Sequence, residues 1–514
     1  MRGKQKLTAR AKQFALEHGL SGSTTRVLGS SVSIMLLGVG SIGIFLFFAR
    51  DIYTGSGDLA WHYSLIEFIV EHSALPGADV ARLGPMTEYP PGAHVFVAVV
   101  TSLFGVNALR VLFLSSIVAV FVGYFLVLNL LGVQNRTECF ASTVLMIFFI
   151  VLLRGTHMLF GNEIIQEYFF YSQLVGDLCF VFLLIVASKI RHPAIVCVFA
   201  IVAVYALAWI YTASAAKLAV SICLVQVLSL ARGYSIERVL LLIALALLLP
   251  LTIVTHPTFE PMVRNAAHDG SISTALPFVL SGSALLLLLA PGIWWLHWRS
   301  GSSTQCEPLV AAGVAIGLLA WVQFGFLRLA GLGSPYAVKK HGFMIGTFVA
   351  ASLAAWFTAM LLRSGLYRHI RGSLTIIPVY VTRWIAACLA VVAVLPWRGE
   401  PLDPVIKYDR EVRAMVASGR PPDLLGHTIS VNRELPFVIN LAVAFAVLEL
   451  PGWTSAQIDQ FAVFGMAEPM PSGVRYAVTV STISHPPPEC VVEDYARMQI
   501  QLVRRDCIEA MSVH

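Results

Sequence analysis

The sequence predicts an all-α polytopic membrane protein with about eleven transmembrane helices, external juxtamembrane helices and a small C-terminal α/β domain outside the membrane. Three observations carry this. Of 514 residues, 57% are hydrophobic and 12% charged, where soluble domains carry roughly a quarter charged residues. Apolar runs of about 20 residues, the length that crosses a bilayer, recur through most of the chain. The last part instead alternates short β-prone runs with Pro-rich turns.

The N-terminus, "MRGKQKLTARAKQFALEHGL", is basic and weakly amphipathic, and no small-residue cleavage site follows the first apolar run. Residues 1–30 therefore read as a cytoplasmic lead-in to a retained helix. Spanning segments fall near 31–50, 108–131, 138–154, 172–189, 194–213, 216–232, 238–255, 275–297, 308–331, 342–362 and 374–396. Residues 31–397 make the membrane domain, with a long external loop at 51–107, and residues 398–514 make an extracytoplasmic domain.

One further run, "GAHVFVAVVTSLFG" at 92–105, is ambiguous by hydropathy alone. Charge decides it. If 92–105 does not cross, the loops "VQNRTE", "SKIRHP", "RGYSIER", "HWRSGSS" and "LLRSGLYRHIRG" all lie on the N-terminal side, and each carries Lys or Arg. Cytoplasmic loops carry that bias. Counting it as a span puts those clusters outside, so the helix that opens with Pro90 and Pro91 lies on the outer surface. The net charge of +6 comes from these scattered clusters, which report topology and give no sign of a nucleic-acid partner.

Of the eight Cys, Cys179, Cys197, Cys223 and Cys388 lie in apolar runs as small core residues. Cys490 and Cys507 lie in the polar tail and can pair if that tail is extracytoplasmic. No C-x-x-C pair supports a zinc or redox site. Trp209, Tyr211 and Lys217, in "WIYTASAAK", sit near the outer interface and read as belt residues.

Titratable residues gather in the external loops. Asp58 follows the first span and His62 is four residues on, so a helix here puts both on one face. A partly desolvated carboxylate at that depth suits general-base work; a solvated acid near a helix start is the plainer alternative. Asp51, nearer the span end, competes for the same role. The next loop, "RGTHMLFGNEIIQEYFF", offers Asn162, Glu163 and Glu167. A third, "HPTFEPMVRNAAHDG", offers His256, Glu260, Arg264 and His268. In "GSPYAVKKHGF", Lys339, Lys340 and His341 lie outside against the positive-inside bias, beside Tyr336, with Arg328 about three turns earlier. Such a placement is tolerable by snorkelling, and it is explained better by an anion to hold.

An acid just outside the first span, an amphipathic helix, "YPPGAH" opening a juxtamembrane helix that ends "LFG", then Arg110 starting the second span: this pattern over residues 30–190 resembles the GT-C superfamily of integral-membrane glycosyltransferases. "YPPGAH" is similar to bacterial arabinofuranosyltransferases and related cell-envelope enzymes of that superfamily. The resemblance implies a GT-C-like fold and a hexosyl- or pentosyltransferase in the bacterial inner membrane, with its site on the periplasmic side. It implies a polyprenyl-phosphate-linked sugar as donor, a glycan or lipid acceptor, and no cofactor or divalent metal. The catalytic acid then falls on Asp58, or less well on Asp51, with His62 beside it; many relatives carry two adjacent acids, whereas Leu59 follows Asp58 here. Asn162, Glu163 and Glu167 become acceptor-side residues. Lys339, Lys340, His341, Tyr336 and Arg328 become the lipid-phosphate site, and His256, Glu260, Arg264 and His268 a loop that closes over substrate.

A secondary transporter is the rival from another class. It calls for mid-membrane charge and symmetry-related broken spans; charges within the spans are few, Asp177 and Arg328 standing out among them, and no internal repeat is evident. An O-antigen polymerase or ligase is a further alternative, and a non-catalytic scaffold the last.

Overall fold

The computed structural model describes residues 39–40, 43, 51–52, 58–77, 80, 83, 86–131, 136–165, 169–267, 272–299, 303–363, 379–395, 400–417, 428–431, 476–480, 486–495, 500–504 and 506–507. Most of the expected first span, 31–50, lies outside them.

The other ten expected spans are all helices. They are α3 (Ala108–Leu130), α4 (Arg136–Leu153), α5 (Tyr171–Ala187), α6 (Pro193–Ala208), α7 (Thr212–Arg232), α8 (Ile236–Val254), α10 (Leu276–Arg299), α11 (Ser303–Ala330), α13 (Gly342–Arg363) and α14 (Val379–Val394). Among the described residues, seven helices are long and apolar enough to cross a membrane by themselves; α5, α6 and α14 are shorter and equally apolar. Between them lie α1 (Asp58–His72), α2 (Gly92–Phe104), α9 (Phe259–Ala266) and the short α12 (Pro335–Lys339), with α15 (Leu402–Ala417) in the tail.

Contacts run from α14 to α3, α5, α7, α11, α10, α13, α4 and back to α14, a closed circuit; α6 and α8 pack outside against α7. The circuit's core is apolar and includes Leu109, Phe121, Phe180, Leu218 and Phe348, all buried. Outward residues such as Leu152, Val202, Leu247 and Leu288 are exposed, as a helix facing lipid requires.

Helix α2 does not cross. Its first backbone N–H, on Gly92, donates to the carbonyl of Trp209 at the end of α6 (2.8 Å). Its C-terminal neighbour Arg110 pairs with Asp403 of the tail helix α15 (2.5 Å). Trp209 and Asp403 belong to segments that the charge pattern puts on one side, so α2 is tied at both ends to that side. A side chain at Gly92 would place Cβ 2.8 Å from the Trp209 oxygen, so only glycine allows this approach. Phe96, Val99 and Leu103 are exposed and form a stripe along the helix, the pattern of an interfacial helix lying on lipid.

The five segments expected outside meet one another. Arg264 of α9 pairs with Glu88 (2.6 Å). Ser334 Oγ donates to the Ala266 carbonyl (2.9 Å), and Thr274 Oγ1 to the Thr156 carbonyl (3.0 Å). Tyr63 donates to Asp409 Oδ2 in the tail helix (2.8 Å). The five segments that the charge pattern puts on one side thus lie together.

The tail combines α15 with strands, as expected of an α/β unit. Strand β1 (Asp51–Ile52) pairs antiparallel with β2 (Glu400–Pro401). Strands β3 (Thr428–Val431), β4 (Tyr476–Val480), β5 (Val491–Tyr495) and β6 (Ile500–Arg504) form a sheet in the order β3-β4-β6-β5, with β3 and β4 parallel and the other pairs antiparallel. Cys490 and Cys507 form a disulfide.

Candidate functional site

The external segments enclose a cavity of about 230 Å³ between α5, α7, α8, α9, α11 and α12. Helix α9 covers one side. Phe259, Met262, Val263 and Ala266 recur at the helical period and line the cavity, while Glu260 and Arg264 face away, both exposed and paired with each other at 3.1 Å. The polar wall consists of Tyr89, Gln173, Tyr211, Lys217, Gln323, Lys340 and His341. Two lysines and no carboxylate line the cavity; Lys217 is paired with Asp177 behind the wall, so the cavity's positive charge rests on Lys340.

Lys340 stands over two rings, 4.5 Å from the centroid of Tyr336 and 4.8 Å from that of Phe170. Its backbone carbonyl accepts from Gln173 Nε2 (2.7 Å), and Gln173 in turn accepts from the Tyr211 hydroxyl (3.3 Å). Ser334 caps α12 by accepting from the Ala337 N–H (3.3 Å). Pro335 opens that turn, the position where a missing N–H costs nothing. The lysine is thus held by a capped turn wedged between two spans.

Asp58 occupies the first turn of α1 and is partly buried. Its charge acts on two cavity residues, Tyr89 and Lys340. Burial first, and the Asp58 charge second, push the Tyr89 hydroxyl above its ordinary value. The charge of the early acid therefore reaches the late lysine, about 280 residues further along the chain.

His62 lies one turn beyond Asp58 and is buried. Its Nδ1 is 2.7 Å from Nε2 of His94, and the two rings stack at 5.0 Å. Burial lowers both imidazoles, His94 to about 3, and the facing His94 lowers His62 further. Both are neutral at ordinary pH, one ring nitrogen donating to the other. The Asp58 side of α1 is in this way locked to α2.

Beneath the cavity, Lys217 and Asp177 form an ion pair at 2.7 and 2.9 Å, both fully buried. Ser214 donates to the same carboxylate (2.5 Å). This corrects the belt placement of Tyr211 and Lys217: both face inward, because Asp177, 40 residues earlier, supplies a buried partner. Glu163 lies near this pair. Its Oε2 accepts from the Gly161 N–H (2.6 Å), in a turn where Gly161 has a φ of 100°. Burial, then the Asp177 charge, raises its carboxyl to about 8. Asn162 closes the same turn by accepting from the Leu159 N–H (2.9 Å).

The lipid-phosphate group named from sequence divides. Lys340, His341 and Tyr336 line the cavity. Lys339 donates to the Ile272 carbonyl (3.2 Å) and is not among the lining residues. Arg328 is exposed and sits 5.3 Å from the Phe324 ring centroid. His256 is buried against Tyr205 and Trp209, with Nδ1 bonded to Thr258. The backbone of Asp51 lies in β1 opposite Pro401; Glu167 and His268 fall outside the described residues. Gln173, Tyr89, His94, Asp177 and Lys217 belong to the site and were not assigned to it from sequence. Among the described residues, no group of three His, Cys, Asp or Glu side chains is placed to hold a metal ion.

No family model matches the chain, and no curated protein matches it. Two solved structures are similar to it. One is the crystal structure of ArnT from Cupriavidus metallidurans in the apo state, at 13% identity and a TM-score of 0.45, over 93% of this chain and 98% of that one. The other is the archaeal oligosaccharyltransferase AglB from Archaeoglobus fulgidus in complex with an inhibitory peptide and a dolichol-phosphate. It matches at 12% identity and a TM-score of 0.39, over 89% of this chain and 70% of that one. At these values the likeness assigns no activity to this chain.

Proposed function

We propose that the chain is an integral-membrane glycosyltransferase. It moves a hexosyl or pentosyl group from a polyprenyl-phosphate donor to a glycan or lipid acceptor of the cell envelope. The observation that carries this is that the Asp58 charge acts on Tyr89 and Lys340, two residues that line one cavity between spanning helices. An acid beside an anion site at membrane-headgroup depth suits a reaction that takes a proton at one end and releases phosphate at the other.

In this mechanism the donor enters from the lipid, with its phosphate against Lys340. The acceptor hydroxyl gives its proton to Asp58 as its oxygen forms a bond to the anomeric carbon. The bond from that carbon to the phosphate oxygen breaks, and the electron pair leaves with polyprenyl phosphate. One displacement inverts the anomeric configuration. Phosphate is a competent leaving group, so catalysis rests on positioning and charge neutralisation. Nothing in these steps calls for a divalent metal. Asn162, Glu163 and Glu167 stay on the acceptor side, with α9, which carries Glu260 and Arg264, and the flanking His256 and His268 as the covering segment. The inner membrane of a bacterium, with site and tail outside, is the location that the basic loops on the opposite face favour.

The test uses protein in liposomes with a labelled polyprenyl-phosphate sugar. Asp58→Asn is expected to abolish transfer while leaving donor binding and folding intact. Full transfer by that variant rejects the assignment.

The buried Asp177–Lys217 pair is the one feature that favours a transporter, since such charges inside a membrane often mark a path. Uptake of labelled solute into proteoliposomes without glycosyl transfer would select that alternative.

A further inference from the structure

A second cavity, of about 700 Å³, lies at the other membrane face. Helices α5 and α7 begin at the first cavity with Gln173 and Thr212 and end at the second with Ala187 and Arg232. A helix of about 20 residues spans a bilayer, so the two cavities are a membrane apart. The volume is within the usual range of ligand sites, roughly 300–1,000 Å³.

Its charge is one-sided. Lys189, Arg191, Arg232 and Arg238 line it, with Glu307 as the one carboxylate, so four cations meet one anion. Topology alone asks for cations on this face, in water; it does not ask for them to wall a cavity. Arg232 is only a quarter exposed, and its Nε is 2.7 Å from Oε1 of Glu307, itself nearly buried. Its Nη2 atom reaches Glu307 Oε2 (2.8 Å) and Ser229 Oγ (3.0 Å). Arg238 Nη1 donates to the Ser229 carbonyl (3.2 Å). Ser229 therefore fixes both guanidinium groups, from the end of α7 and the start of α8, at one side of the cavity. Two fixed arginines, whose planar guanidinium forks suit pairs of phosphate oxygens, with Lys189 and Arg191 on the rim, match a multiply charged phosphate group.

We propose that this cavity binds a phosphate-class dianion at the face opposite the candidate transfer site. The phosphate belongs either to an anionic lipid headgroup or to a small water-soluble phosphorylated compound. The proposal is independent of the transferase assignment.

The experiment uses the full-length protein in nanodiscs, with two arms. In phosphatidylcholine nanodiscs, sodium pyrophosphate is titrated calorimetrically. In nanodiscs of phosphatidylcholine with phosphatidic acid, retained phosphatidic acid is counted by native mass spectrometry. Each arm compares wild type with Arg238→Gln, with Arg232→Lys, which keeps a cation beside Glu307, and with the pair Lys189→Gln and Arg191→Gln. Losing hydrogen bonds to a charged group weakens binding about tenfold or more, and that loss is expected in at least one arm. A response to pyrophosphate identifies a soluble ligand, and a response to phosphatidic acid a headgroup. Absence of binding in both arms overturns the proposal, as does binding that the folded variants leave unchanged. If Arg238→Gln does not fold, the Arg232→Lys and rim variants decide.

Discussion

Nδ1 of His62 lies 2.7 Å from Nε2 of His94, joining the helix that opens with Asp58 to the helix that opens "GAH". Thirty-two residues separate the pair, and only neutral rings fit there. The folded values are depressed, so above the unfolded value of roughly 6.5 neither state holds these protons and the pair costs nothing. As pH falls below that, the unfolded chain takes up protons that the folded one refuses, and stability drops until about 3, the folded value of His94. The melting temperature in detergent is expected to fall from pH 7 to pH 5. His94→Asn should flatten that fall by up to about 1.4 kcal/mol per pH unit. An identical slope in the variant contradicts this.

Glu163 works in the opposite sense. Its folded value of about 8 is raised by burial and Asp177, above an unfolded value of roughly 4.3. The stability it contributes is present below the unfolded value and is lost as pH rises through the folded one. The loss accrues between those two values, so Glu163→Gln, which keeps the shape and no charge, should lose less stability than wild type between pH 5 and pH 8. Thermal melts across that window read the difference directly.

Asp177 and Lys217 should behave as a coupled unit. Removing one charge leaves the other buried and unpaired, at a cost of about 3–5 kcal/mol. Asp177→Leu and Lys217→Met are each expected to destabilise strongly, and the double variant by much less than the sum. An additive double-mutant cycle would show that the pair is not coupled.

The Cys490–Cys507 disulfide closes a short loop, with a sequence separation of 17. Loops of that size contribute roughly 3 kcal/mol by restricting the unfolded chain. Replacing both with Ser should make the tail sheet sensitive to protease. Non-reducing gels of protein exported in cells check the bond.

What the sequence made legible follows from which forces are local. Span positions and their alternation could be read because hydropathy and Lys/Arg bias are properties of short windows, and the loops they placed together do touch. Asp58 could be singled out for the same reason, since it is the first acid of its helix. His94 and Lys217 could not. His94 looks like an ordinary residue of an apolar helix until His62 is set against it, and Lys217 resembles an interface cation until Asp177 is found one helix away. Lys339 and Lys340 are neighbours that a sequence treats alike; the turn of α12 sends the first to the Ile272 carbonyl and the second into the cavity.

The most direct measurement is a cryo-electron microscopy map of the full-length protein with polyprenyl phosphate in nanodiscs. The transferase account predicts phosphate density within salt-bridge reach, about 4 Å, of Lys340 Nζ, in the cavity that Tyr89 and Tyr211 line. Asp58 should then face the space beyond that phosphate, where a sugar and its acceptor would meet. Phosphate density at the opposite face alone, or separated from Asp58 by packed helices, contradicts it.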